Sequence, residues 1–291
     1  MTDKAEARLR HRLAVVTGAS SGIGAATARE LASAGYHVLA GVRRCEDADA
    51  LRATNLEPII LDITDETAIA SLVKRIDTDL DRRPLGALVN NAGVAVNAPI
   101  ETYELKSWRH LFEANLFGHV AMIQAMLPAL IESRGTIVNI SSVGGMVAMP
   151  TYGPYAGTKF ALEAISDSLR REVAPLGVKV VVIEPGAVAT GMLRQVGDRG
   201  AKVVNAMTAV HRGRYAKLMH AVVAQAEASV AGGAPPEAAA RIITNAIISS
   251  RPRTRYTVGR GTGMIVRLAR LAPDRVLDRI LAASLKPHFP E

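Results

Sequence analysis

The segment Leu13-Ala-Val-Val-Thr-Gly-Ala-Ser-Ser-Gly-Ile-Gly24 carries the strongest indication of the fold. Its first five residues form a short apolar run, typical of a strand buried on both faces. The following residues have a helical pattern that Gly35 ends. A glycine-rich turn between such a strand and a helix N-terminus lets backbone N–H groups and the helix dipole bind a pyrophosphate, although a glycine turn also serves as a plain tight connection.

Strand and helix patterns alternate along most of the remaining chain. We predict a doubly wound, Rossmann-like parallel sheet of about seven strands in a three-layer α/β/α arrangement. The predicted strands cover 13–17, 36–42, 56–61, 85–89, 135–140, 178–183 and 255–258. The predicted helices include 106–131, 155–173 and 237–249.

The 291 residues are consistent with one α/β domain, 13–291, after an N-terminal extension, 1–12. Residues 191–232 interrupt the alternation and are predicted to form a helical lid over the substrate. The methionines of this segment, Met192, Met207 and Met219, suit either a ligand surface or ordinary helix packing.

Composition narrows the class of protein. The chain has 35 Lys+Arg and 27 Asp+Glu, a net charge of +8, but the basic residues are scattered and only 4% of residues are aromatic, which argues against nucleic-acid binding. Cys45 is the single cysteine, so neither an intrachain disulfide nor a thiolate zinc cluster can form, and we expect no metal. The charged N-terminus indicates no signal peptide, no apolar stretch is expected to span a bilayer, and we predict a cytoplasmic location.

Tyr155 and Lys159 are four residues apart in a predicted helix and therefore share one face. An ammonium beside a phenol favours the phenolate, so we expect Lys159 to lower the pKa of Tyr155 towards neutrality, where it can act as a general acid or base. A solvated surface pair is the common alternative for this spacing. We expect the chemistry here because of the motifs upstream.

Thr17-Gly18-x-x-x-Gly22-Ile23-Gly24 resembles the short-chain dehydrogenase/reductase family, and Asn90-Asn-Ala-Gly93, Ser142 and Tyr155-x-x-x-Lys159 extend the resemblance over residues 13–190. The resemblance implies a nicotinamide cofactor and hydride exchange with an alcohol or carbonyl. It implies cofactor contacts at Gly18, Ser20, Ser21, Gly22, Ile23, Gly24, Asp62, Ile63, Asn91, Ala92, Gly93, Tyr155, Lys159, Pro185, Gly186, Val188 and Thr190.

The same resemblance implies the catalytic roles. Tyr155 transfers the proton, Lys159 lowers its pKa and holds the nicotinamide ribose, and Ser142 orients the substrate oxygen. Asn115 binds a water in a proton relay, with a helix kink or a satisfied core amide as its alternative reading.

The choice of cofactor depends on the end of the second strand. An acidic residue there would bind the ribose 2′-hydroxyl, whereas an arginine accommodates a 2′-phosphate. The sequence has Gly41-Val42-Arg43-Arg44, with no carboxylate and with Arg43 better placed to pair with the phosphate. Although two arginines in a loop are often simply exposed, we predict NADP(H) in preference to NAD(H).

We therefore predict an NADP(H)-dependent oxidoreductase for a small alcohol or ketone, in a homodimer or homotetramer. A resemblance to enzymes of steroids, retinoids and other lipophilic alcohols extends over 152–168. The alternative is an NADP(H)-binding regulator or scaffold without turnover. The C-terminal helical segment, about 262–286, alternates leucines with arginines and could lie on an anionic membrane, although packing against its own domain or a second subunit is the commoner outcome.

Overall fold

The computed structural model describes residues 11–191 and 196–290, and a seven-stranded sheet forms its centre. The strands are β1 Leu13–Val16, β2 His37–Val42, β3 Leu56–Ile60, β4 Leu85–Asn90, β5 Thr136–Ile140, β6 Lys179–Pro185 and β7 Arg255–Val258. Their order is β3-β2-β1-β4-β5-β6-β7, and every neighbouring pair is parallel. The predicted Rossmann-like sheet is thereby confirmed.

Helices cover both faces of the sheet. They are α1 Gly22–Ser33, α2 Cys45–Leu51, α3 Glu66–Asp77, α4 Leu105–Phe112, α5 Gly118–Ser133, α6 Gly153–Val173, α7 Val196–Ala206, α8 Ala209–Ala231, α9 Pro236–Ile248, α10 Thr262–Leu271 and α11 Asp274–Leu285. Short 3₁₀ turns occur at Ile100–Thr102, Val143–Gly145, Ala174–Leu176 and Lys286–His288, and a π-turn at Glu113–Phe117.

The two faces of β1 explain why its sequence is apolar throughout. Ala14 and Val16 pack with α1 and α9 on one face, whereas Leu13 and Val15 pack with α3, α5 and α6 on the other. Successive strand side chains point to opposite faces, so a strand covered on both sides needs an apolar residue at each position. Each large side chain buried in this way stabilises the fold by about 1.5–3 kcal/mol.

The predicted helix 106–131 is one run, Leu105–Ser133, but the π-turn divides it into α4 and α5. An 18-residue window within this run has a mean hydropathy of 1.5, so by length and composition alone the run could cross a membrane, contrary to the expectation that no apolar stretch is long enough to do so. Met122, Met126 and Leu130 are nevertheless buried against the sheet. The run therefore packs as part of a helix layer.

The lid segment is helical over α7 and α8. Met207 and Met219 are buried against each other and Val204, which is ordinary helix packing. Met192 and residues 1–10 of the predicted extension lie outside the described residues. The C-terminal segment forms two helices because Pro273 cannot continue a helix.

Candidate active site

The candidate site lies at the carboxyl edge of the sheet, where the chain order changes direction between β1 and β4. In open α/β sheets, ligands bind in the crevice at this switch point. The loops that follow β1, β4, β5 and β6 all end at this edge because the strands are parallel. The glycine turn, the Asn-Ala-Gly segment and Ser142 are therefore brought together.

The glycine turn forms a close-fitting cradle between β1 and α1. Gly18 has a φ of +62°, and a side chain there would approach Ala92 Cα to 2.7 Å. Gly22 has a φ of +57°, and a side chain there would approach Thr190 Cγ2 to 3.0 Å. Ser21 is the N-cap residue of α1, but its hydroxyl makes no capping hydrogen bond. Together with the helix N-terminus, this hydroxyl is free to bind a phosphate.

Asn91 holds the glycine turn in place. Its Nδ2 donates to Thr17 O and Gly18 O, both at 3.0 Å. Thr17 Oγ1 accepts from the backbone N–H groups of Asn91 and Ala92, also at 3.0 Å. The Asn91 amide nitrogen is therefore occupied by the protein and shapes the cradle, and the cofactor contact implied for Asn91 stays a prediction.

The two arginines after β2 differ in their contacts. Arg44 Nε and Nη2 donate to the Asp47 carboxylate, both at 3.0 Å. Arg43 is exposed, and within residues 11–191 and 196–290 its side chain has no hydrogen bond or ion pair. Arg43 is therefore the guanidinium available to an anion, as the sequence predicts.

The residues after β3 are already engaged within the protein. Asp62 Oδ1 accepts from Thr64 N at 2.9 Å and from Thr64 Oγ1 at 2.7 Å. Ile63 is buried and packs against Gly118, where a side chain would approach Ile63 Cγ1 to 2.7 Å. Asp62 therefore holds a local turn with Thr64, and the cofactor contact that the resemblance implies for it stays a prediction.

Tyr155 on α6 lies beside Ser142, which follows β5. Both side chains lie against Gly144, where an added Cβ would be 3.3 Å from Tyr155 Cε1 and 3.4 Å from Ser142 Oγ, and Ser142 Oγ accepts from Gly144 N at 3.0 Å. Because this N–H occupies the serine oxygen as a donor, the serine proton is left to donate to the phenol or to a substrate oxygen. Ser142 is also the residue that opens the turn Val143–Gly145.

Lys159 is buried below the Tyr155 ring, with its Nζ 5.9 Å from the ring centroid. Its ammonium donates to Ile140 O at 2.8 Å. Burial lowers the pKa of Lys159 to about 8, while the carboxylate of Glu163 opposes that shift. The lysine therefore approaches the face of the ring and a backbone carbonyl.

The pKa of Tyr155 is raised, not lowered. Desolvation raises it to about 12 against an opposing hydrogen bond from Ser142. The expected lowering by Lys159 is wrong for this structure because burial dominates and the ammonium is already bonded to Ile140. The phenol therefore keeps its proton at neutral pH.

Asn115 lies within the π-turn and is fully buried. Its side chain accepts from Val94 N and donates to Val94 O, both at 2.8 Å, and also donates to Thr158 Oγ1 at 3.2 Å. Thr158 in turn donates to Tyr155 O at 2.7 Å. Both alternatives to the relay therefore hold, since the helix is irregular at Asn115 and its core amide is satisfied by the protein. The water relay stays a prediction. π-turns are frequent at functional sites.

The segment after β6 closes the crevice on the opposite side. Pro185 is the buried last residue of β6, and Gly186 N donates to Val258 O at 2.9 Å. Val188 is buried and bridges to Ala234. Thr190 lies against Gly22, so this segment and the glycine turn are in contact.

His119 is a functional candidate that sequence reasoning missed. It is fully buried, and its Nε2 donates to Ala92 O at 2.6 Å, while Nδ1 has no hydrogen-bond partner. Burial and the charge of Lys159 lower its pKa to about 3, so it is neutral. Its spacing of four residues from Asn115 was the available signal, since both face the same side of the helix.

A buried charge network behind Lys159 was also missed. Arg255 donates to Glu163 Oε2 at 3.0 and 3.1 Å, pairs with Asp167 at 3.0 Å and lies 3.4 Å from Glu184. Burial raises the pKa of Glu184, as does the charge of Glu163. These side chains come from α6, β6 and β7, so no local motif reveals them.

A glycine cradle at the switch point of a parallel sheet, with Ser142, Tyr155 and Lys159 beside it, defines an oxidoreductase that acts on alcohol or carbonyl groups. The family model described as short chain dehydrogenase matches residues 12–200. This chain belongs to the short-chain dehydrogenase/reductase family.

Relatives support the assignment over nearly the whole chain. The chain is 35% identical over 283 residues to the NADPH-dependent 3-dehydrocapnine reductase of Ornithobacterium rhinotracheale, covering 94% of this chain and 98% of that protein. It is 30% identical over 294 residues to retinol dehydrogenase 16 of Mus musculus, covering 96% and 90%. A short-chain dehydrogenase from Streptomyces avermitilis has a TM-score of 0.72 at 29% identity, covering 94% of both chains.

Proposed function

We propose that this enzyme is an NADP(H)-dependent reductase or dehydrogenase of lipophilic ketones and alcohols. The observation that carries the proposal is the placement of Ser142 and Tyr155 together against Gly144, with Lys159 buried beneath the Tyr155 ring. These groups lie beside the glycine turn, where Gly18 packs so closely against Ala92 that no side chain fits between them.

The residues present fit a dinucleotide. The glycine turn and the Ser21 hydroxyl would hold the pyrophosphate, and Arg43 would pair with a 2′-phosphate. NADPH held in this way would supply a hydride to the substrate carbon. The relative from Ornithobacterium rhinotracheale is described as NADPH-dependent, which agrees with the choice of NADP(H) over NAD(H).

The protein's part in reduction is to place the oxygen and supply the proton. Ser142 donates a hydrogen bond to the carbonyl oxygen, and Tyr155 transfers its phenolic proton to that oxygen as negative charge develops. The raised pKa of Tyr155 keeps this proton available at neutral pH. Lys159 places a positive charge beneath the phenolate that is left.

The preference for a lipophilic substrate is supported by an apolar cluster that is close to Tyr155 in the chain. Met149 and Tyr152 pack in this cluster with Val222 of α8 and Leu285 of α11. Small-molecule sites are lined mostly by apolar side chains with a few polar groups. A relative named retinol dehydrogenase agrees with this preference.

Following NADPH absorbance over a panel of ketones, aldehydes and lipophilic alcohols tests the proposal. We expect Tyr155→Phe to abolish turnover and leave NADPH affinity nearly unchanged, because the ring is kept and only the proton donor is lost. Tyr103→Phe, outside the site, is the matched control. NADPH binding without turnover of any substrate would favour the regulator or scaffold instead, and an unchanged rate in Tyr155→Phe would place the chemistry elsewhere.

A second measurement tests the cofactor. Arg43→Ala should weaken NADPH binding by about ten- to a hundredfold through loss of one charge-assisted contact, about 1.5–3 kcal/mol, and leave NADH binding nearly unchanged. Arg44→Ala is the control, since Arg44 is paired with Asp47. Equal losses for both cofactors in Arg43→Ala would refute the assignment.

A further inference from the structure

Exposed apolar side chains concentrate at the C-terminal end of the chain. Of the fifteen large apolar side chains that are well exposed in the described residues, seven lie between 264 and 289. They are Met264, Ile265, Leu268, Leu271, Val276, Ile280 and Phe289. Met264 and Leu271 are 73% and 83% exposed, so little of either side chain is covered by the protein.

Helices α10 and α11 present the same pattern on their outer faces. On α10 the residues at positions i, i+3, i+4 and i+7 are Met264, Arg267, Leu268 and Leu271, and on α11 they are Val276, Arg279, Ile280 and Ala283. Residues at this spacing share one face of a helix. We call these eight residues the C-terminal face.

The opposite sides of both helices are the ones that pack on the protein. Thr262 and Val266 of α10 are buried, as is Leu285 of α11. Arg270 also lies on the inner side of α10, 3.7 Å from Glu184. The C-terminal face therefore lies on the sides of α10 and α11 that are turned away from these buried residues.

This part of the chain is strongly basic. Residues 260–290 contain six Lys or Arg and two Asp, a net charge of +4, which is half of the chain's net charge of +8. Arg267 and Arg279 are exposed, and neither has an ion pair or hydrogen bond among the described residues. Their charges are available to an external anion.

We propose that the C-terminal face docks on an anionic membrane surface. Apolar side chains of such helices insert at the boundary of headgroups and acyl chains, while the guanidinium groups pair with lipid phosphates. A second copy of this chain fits less well, because a twofold interface would place Arg267 and Arg279 of both copies in one contact. Like charges desolvated together oppose such an interface, whereas anionic headgroups neutralise them.

The position of α10 connects this surface to the site. α10 packs against the turn Val143–Gly145, which directly follows Ser142. Docking through α10 therefore brings the crevice close to the bilayer. The binding test below does not depend on turnover, so it stands or fails separately from the proposed function.

Cosedimentation of the full chain with vesicles tests the proposal. We expect binding to vesicles of equimolar phosphatidylcholine and phosphatidylglycerol, weak binding to phosphatidylcholine alone, and a loss of binding as salt rises. Arg267→Gln with Arg279→Gln should weaken binding roughly 25-fold, at roughly fivefold per basic side chain near an anionic surface. The control is Arg29→Gln with Arg52→Gln, which replaces two exposed arginines elsewhere. This control has the same net charge as the test variant and should change vesicle binding little.

The apolar contribution is tested separately. Met264→Ser with Leu271→Ser should weaken vesicle binding by about tenfold or more, because both side chains lose their insertion. Leu80→Ser with Leu176→Ser, also exposed, is the control. NADPH affinity and circular dichroism confirm that each variant is folded. Equal vesicle binding by the Arg267/Arg279 and Arg29/Arg52 double variants would overturn the proposal. A concentration-dependent dimer in sedimentation velocity that Met264→Ser with Leu271→Ser abolishes would also overturn it.

Discussion

Lowering the pH should destabilise the wild-type protein more than a His119→Gln variant. His119 lies between the π-turn and the Asn-Ala-Gly segment, donates to Ala92 O and leaves Nδ1 buried without a partner. Burial and the nearby charge of Lys159 lower its pKa to about 3 from an ordinary value of 6.5. Protonation in the folded state would place a second buried cation beside Lys159.

The loss in the free energy of unfolding follows from the pKa values of His119 in the folded and unfolded states. The folded pKa lies below the unfolded pKa, so the stability due to His119 is complete above 6.5 and declines as the pH falls towards about 3. In that window the unfolded state binds a proton that the folded state excludes, at about 1.4 kcal/mol per pH unit. The free energy of unfolding therefore declines by about 2 kcal/mol between about pH 8 and about pH 5 through this residue alone.

Glutamine is the informative replacement because its amide nitrogen lies near the position of Nε2 and can still donate to Ala92 O, while it does not titrate. Urea unfolding of both proteins at the two pH values gives the difference directly. The variant should lose about 2 kcal/mol less than the wild type, and His220→Gln, on an exposed position, should behave as the wild type. Equal pH dependence in His119→Gln and wild type would show that His119 does not resist protonation.

Two further predictions concern the charge beneath the phenol and the glycine turn. Glu163 raises the pKa of Lys159 against burial, so Glu163→Gln should move that pKa below about 8, and the decline in carbonyl reduction at alkaline pH should begin at a lower pH. A pH profile of kcat that does not move would contradict this. Gly18→Ala should lose about 1–3 kcal/mol of stability and weaken NADPH binding, because its φ is positive and the methyl group meets Ala92. Gly213→Ala, where nothing lies within 4 Å of the added methyl group, should by contrast gain about 0.5–1 kcal/mol in thermal unfolding.

Much of the fold is predictable because its signals are local. The apolar run at β1, the glycines after it and the alternation of strands and helices follow from periodicity and turn chemistry within a few residues of each other. The availability of Arg43 rather than Arg44 also agrees with the sequence reading, although the pairing of Arg44 with Asp47 is what explains it. Asn115 indicated a possible kink in the helix 106–131, but the sequence did not identify it as a π-turn, since the apolar stripe fits an uninterrupted helix equally well.

Site geometry was less accessible to sequence reasoning. The predicted direction of the Tyr155 pKa shift was wrong. Helix spacing shows that Lys159 and the phenol share a face, but it does not show how deeply both are buried. It also does not show that the Lys159 ammonium donates a hydrogen bond to Ile140 O. The clamp of Asn91 on the glycine turn joins residues 73 and 74 positions apart. Arg255 reaches Glu163 across 92 positions.

The order of elements, the family and the residue types of the candidate site follow from the sequence, because they depend on patterns and motifs along the chain. The folded structure was needed to show which polar side chains already have partners in the protein, which are buried and uncharged, and which face of the C-terminal helices is exposed. Hydrogen bonding and desolvation depend on neighbours from distant parts of the chain. Both arise only when the strands are assembled side by side and the helices cover them.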